Sequence, residues 1–129
     1  MRAERIELTT PLSRDYRAVV RLIVGGIAET LDFAFDEVDD LQLAVERLLA
    51  EAGQAGSVNI RFELGPRSVR TRIGPLRERT IADALQGPPP APGELNLRRI
   101  LEAVVDSYGV EDAADGAIYV RLEKVREAR

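Results

Sequence analysis

The chain has 129 residues, 45% hydrophobic and 31% charged, with a formal net charge of −4. This is the balance of one globular domain large enough to bury its own core. It has no cysteine and no histidine, which excludes disulfides, thiol catalysis, thiolate metal sites, His-based triads and imidazole general bases. Net acidity argues against nucleic acid or an anionic membrane as partner, and leaves carboxylate binding of a hard cation as the remaining metal chemistry.

Met1 to Thr10 is charged and alternating, unlike a signal peptide. The longest apolar run, Ala18 to Ala28, is interrupted by Arg21 and too short to span a bilayer, so a cytoplasmic protein is expected. Arg5 to Thr10 alternates as a strand with one wet face, ended by Pro11. Ser13 is placed to cap a helix to about Leu31, with Tyr16, Val19, Val20, Ile23, Ile27 and Leu31 on one face. The middle of that helix is apolar almost all round, which predicts either burial on two sides or an interface. A second helix begins near Asp36 with acids in its first turns, where the dipole favours them. Its apolar stripe is Val38, Leu41, Val45, Leu48, Leu49 and Ala52, and Gly53 and Gly56 close it.

Val58 to Leu64 and Val69 to Ile73 both alternate, and Gly65-Pro66-Arg67 between them makes a hairpin turn. Gly74 to Gly93 is a long connection with a short helical turn near Thr80 to Leu85, and its Pro-rich segment, residues 86–93, is extended and exposed. A third long helix is predicted from Leu95 to Tyr108, with Leu97, Ile100, Leu101, Val104, Val105 and Tyr108 inward and Gly109 as its C-cap. A last strand covers Ala117 to Lys124. Since every strand alternates, the expected fold is α/β in the α+β sense: a two-layer sandwich, a mostly antiparallel sheet with helices on one face.

The run Asp36-Glu37-Val38-Asp39-Asp40-Leu41-Gln42-Leu43-Ala44-Val45 resembles the entry to the N-box helix of the anti-sigma factor serine kinases. Arg21 to Ala28 resembles their first helix, Leu95 to Leu101 their glycine-rich-box helix, and Gly116 to Leu122 their last strand. The resemblance covers nearly the whole chain. It implies a single histidine-kinase-like (GHKL) ATPase domain over residues 1–129, with the Pro-rich loop in its lid region. It further implies a pocket for ATP and Mg²⁺ between helices and sheet, and a bacterial regulator that holds a sigma factor or phosphorylates an antagonist protein.

Carried over residue by residue, the resemblance predicts a degenerate member. The catalytic Glu and the Mg²⁺-binding Asn of the N-box fall on Arg47 and Glu51. Arginine does not accept a proton near neutral pH, and the two residues are spaced to pair on one helix face for about 0.3 kcal/mol. The adenine-reading Asp falls on Ile73 by strand parity or on Arg72 by spacing from Gly74, and no acid lies between Glu63 and Glu78. The phosphate-binding glycines fall on Glu94 and Asn96, residues that cap a helix rather than admit an anion. No catalytic residue, no metal site and no ATP or Mg²⁺ cofactor is therefore expected.

What remains is binding. In the family an arginine in the first helix meets the partner, and the match places Arg21 there, with Arg17 and Val24 beside it. A snorkelling arginine is the plain alternative. Gly25-Gly26 is poor helix chemistry, explained either by another helix approaching or by close packing on the sheet. Arg67, Arg70, Arg72, Arg77 and Arg79 form a basic run that suits an acidic partner or a solvated strand face, and without interleaved aromatics it argues against nucleic acid. The expected function is a non-catalytic regulator that binds a sigma factor or its antagonist, as a homodimer and away from membranes. The alternatives are an ATP-binding kinase with atypical ligands and a small-molecule sensor using the emptied pocket.

Overall fold

Five strands and four helices make up the computed structural model, which describes residues 4–128. Met1–Ala3, the start of the segment expected not to be a signal peptide, and Arg129 lie outside the described residues. The strands are β1 (Glu4–Pro11), β2 (Ser57–Leu64), β3 (Ser68–Leu76), β4 (Ser107–Asp112) and β5 (Ile118–Val125). The helices are α1 (Arg17–Thr30), α2 (Phe35–Glu51), α3 (Arg79–Gln86) and α4 (Leu97–Val104). All neighbouring strands are antiparallel, in the order β1-β2-β3-β5-β4.

Strand parity divides the sheet into a dry face and a wet face. Val58, Ile60 and Phe62 of β2, Val69, Thr71 and Ile73 of β3, and Ile118, Val120 and Leu122 of β5 are buried. The residues between them are mostly charged and face solvent. The four helices contribute to the same core, through Val20, Val24, Leu41, Val45, Leu48, Ile81, Leu85, Leu97 and Leu101 among others. This is the α+β sandwich expected from alternation, and it is consistent with a histidine-kinase-like ATPase domain.

Three expectations are corrected. Ser13 caps not α1 itself but a 3₁₀ turn, Arg14–Tyr16, that leads into it, and the Asp15 N–H donates to its Oγ at 3.3 Å. Tyr16 and Val19, expected to share one face with Val20 and Ile27, are exposed, because α1 rests on Val20, Val24, Ile27 and Ala28. The third long helix is also shorter than its pattern. It ends at Val104, and Ser107–Asp112 pairs with β5 as the edge strand β4 rather than continuing to Tyr108 with a glycine cap. Three polar ties hold this switch from helix to strand. Lys124 Nζ donates to the Val104 carbonyl at 2.9 Å, the Asp106 N–H to the Glu123 carbonyl at 2.9 Å, and the Val125 N–H to Asp106 at 2.7 Å.

Candidate functional site: the outer face of helix α1

Helix α1 lies along α2, and its outer stripe carries apolar groups that the chain does not bury. Val19 and Leu22 are 48% and 76% exposed, and Gly26 follows on the same stripe, also exposed. A Cβ built on Gly26 meets nothing within 4 Å. Packing within this chain therefore does not require glycine there, although glycine inside a helix costs about 1 kcal/mol against alanine. Gly25 is different: a Cβ there would lie 2.8 Å from the Gln42 amide nitrogen, which donates to the Arg21 carbonyl at 3.0 Å.

Arg21 stands at the edge of this stripe. Its guanidinium donates to Glu46 at 2.6 Å and lies 3.9 Å from Asp39, both on α2. The hydrogen bond to Glu46 raises its pKa further, so it is a fixed positive charge. Leu43, on the same stripe of α2 as Asp39 and Glu46, is also exposed. Arg17 lies one turn earlier, lining a shallow hollow with Ala18, Glu46, Arg47 and Ala50. Val24, expected at the partner face, is fully buried, because its position on the helix points at the core. Val19 and Leu22 occupy the face it was expected to share.

The positions expected to remain from a nucleotide pocket lie on α2, on β3 and at the start of α4. Arg47 Nη2 donates to Glu51 at 3.2 Å, so the two pair along α2 beside the start of α1. Ile73 is fully buried on the helix-facing side of β3, while Arg72 points to the opposite face, donating to Glu111 at 3.0 Å. Gly74 lies beneath Tyr119, where a Cβ would come within 2.6 Å of the ring. Asn96 caps α4, its side-chain oxygen accepting the Arg99 N–H at 3.0 Å, and Glu94 is exposed in the turn before it. Among the described residues no group of three or more acids could hold a metal ion, and no helix is long and apolar enough to cross a membrane. The basic run expected from the sequence is also divided. Arg70 and Arg72 share the open sheet face, Arg67 sits in the hairpin turn, and Arg77 and Arg79 lead into α3.

The fold and this helical face describe an α+β sandwich with apolar groups exposed on its first helix among the described residues. No family model matches the sequence. The chain is similar to serine-protein kinase RsbW of Bacillus licheniformis, 31% identical over 67 residues, 46% of this chain and 42% of that protein. It is also similar to RsbW of Bacillus thuringiensis (strain Al Hakam) and of Bacillus cereus (strain B4264), each 36% identical over 44 residues, 34% of this chain and 28% of those proteins. The chain thus spans less than half the length of the curated relatives it matches.

Proposed function

We infer that this protein is a regulator of the anti-sigma-factor kind that acts by binding another protein through the outer face of α1, without phosphoryl transfer. The observation that carries this reading is the exposed stripe Val19, Leu22 and Gly26, an apolar surface with a glycine that nothing in the chain itself requires. Close approach of a partner helix uses both features, since glycine lets backbones come near and the aliphatic side chains supply the buried area. Arg21, already oriented by Glu46 and Asp39, offers a charged anchor at the edge of the contact.

The similarity to RsbW serine-protein kinases supports a sigma factor or its antagonist as the partner class. The residues at the former nucleotide positions support a binder rather than a kinase: an Arg47–Glu51 pair, a buried Ile73 and an Asn96 spent on capping do not fit Mg²⁺ and ATP. A homodimer is the proposed assembly. The outer edge of β1, where Ile6 is exposed, offers unpaired backbone groups to a second copy.

The test is capture of partners from the native cell by the unmodified protein and by Leu22→Asp. Retention of a sigma factor or antagonist protein that Leu22→Asp loses is the expected result. Recovery of neither, or equal recovery by both forms, overturns the proposal. A titration with millimolar ATP and Mg²⁺ separates the kinase alternative: it is expected to give no heat and no thermal shift.

A further inference from the structure

The sheet face away from the helices carries rows of side chains in register. One row runs Arg5, Glu63, Arg70, Glu123, Ser107 across β1, β2, β3, β5 and β4. Its charges alternate, the arrangement that stabilises neighbouring strands. The next row runs Glu7, Arg61, Arg72, Arg121, Gly109. Three arginines therefore stand directly opposite one another on adjacent strands, where like charges destabilise pairing.

These guanidinium groups are held in place. Arg72 lies over the Tyr119 ring, 3.7 Å from its centroid. A Cβ on Gly109 would come within 2.7 Å of an Arg121 nitrogen, so the glycine leaves room for that side chain to lie across β4. Glu111 joins Arg72 at 3.0 Å and Arg121 at 2.8 Å. Arg61 is less well served: its buried Nε has no hydrogen bond among the described residues, and the Glu7 carboxylate stands 3.6 Å away. Arg61, Glu63, Arg70, Arg72, Glu111 and Arg121 line an open groove of about 570 Å³, four cations against two anions in the lining, with Glu7 and Glu123 paired to Arg61 and Arg70 at its edge.

We propose that this groove binds a small multivalent anion carrying phosphate groups, held by Arg61, Arg72 and Arg121. Guanidinium forks match phosphate oxygens in geometry and charge. The arginines rise from strands about 4.8 Å apart, close enough to converge on one compact polyanion. The acidic side chains of an extended peptide recur only every ~6.8 Å on one face, a poorer match to that spacing. The site lies on the far side of the sheet from α1 and does not depend on the partner reading above.

The experiment is calorimetric titration of the whole protein at low salt with pyrophosphate and with tripolyphosphate, alongside a poly-glutamate peptide. Arg61→Gln and Arg121→Gln are each expected to weaken the phosphate anions by about tenfold or more, as loss of a charge-assisted pair does. Arg67→Gln, in the hairpin turn outside the groove, is expected to leave binding unchanged. Circular dichroism checks that the variants remain folded, and having two independent variants keeps the test decisive if one does not. The proposal is overturned if neither anion binds at millimolar concentration, or if all three variants bind them equally. It is also overturned if poly-glutamate binds through these arginines and pyrophosphate does not displace it.

Discussion

Gly25 and Gly26 are adjacent, yet only one is explained by the chain that contains it. Gly25 makes way for Gln42, whereas the space beside Gly26 is open. Gly26→Ala is therefore expected to stabilise the isolated protein by about 1 kcal/mol, the ordinary helix gain. The same substitution places a methyl group where a partner helix would approach, so partner capture is expected to fall while the melting temperature rises. A second single-residue test lies in the core. Thr71 is fully buried, and its hydroxyl has no hydrogen-bond partner among the described residues. Thr71→Val removes an unsatisfied polar group at nearly constant shape and is expected to stabilise by about 1 kcal/mol in urea unfolding. The sequence could not mark Thr71, since a threonine in a strand is ordinary and its missing partner depends on Phe62 and Leu122 across the sheet.

At the scale of elements, local patterns served where local contacts decide. The helix–helix–hairpin order, the cap by Asn96 and the alternation of β2, β3 and β5 were legible, whereas Ser13 caps the 3₁₀ turn ahead of α1 and not the helix itself. Strand β4 was not. Val104, Val105 and Tyr108 are spaced as a helical stripe, and Tyr108 and Val110 fit a strand equally well. What decides between them is the ladder to β5, a pairing with residues later in the chain. The arginine row was hidden for the same reason, because Arg61, Arg72 and Arg121 meet only through the register of three strands.

Glu111 ties β4 to that row, and its chemistry is testable by pH. The hydrogen bond from Arg72, then that from Arg121, holds its carboxyl below the usual carboxylate range. A carboxyl with a depressed folded pKa contributes stability that is full above its unfolded value, about 4.3 for glutamate. That contribution is lost as pH falls through the lower folded value. Glu111→Gln is accordingly expected to lower the melting temperature at pH 7. The gap to the unmodified protein should close under strongly acidic conditions, below the folded pKa. A gap that stays constant with pH would mean the pair contributes nothing through ionisation.

For the whole molecule, the proposal of a non-catalytic binder can be tested against packing as well as against individual side chains. Ile73 from β3, Ile81 and Leu85 from α3, Leu97 and Leu101 from α4 and Leu48 from α2 lie in one continuous apolar core. Helices α3 and α4, between β3 and β4, thus bury apolar side chains in the same core as α2. Restoring the two N-box residues that the family resemblance implies would leave that interior unchanged. The double substitution Arg47→Glu with Glu51→Asn removes only a half-exposed ion pair, worth about 0.3 kcal/mol, and should fold normally. It is expected to show no binding of ATP with Mg²⁺ at millimolar concentration by calorimetry, because no acid replaces Ile73 and Asn96 still closes the start of α4. Appearance of nucleotide binding in this variant would mean that the side chains at these two positions, and not the packing of α3 and α4, decide whether nucleotide binds.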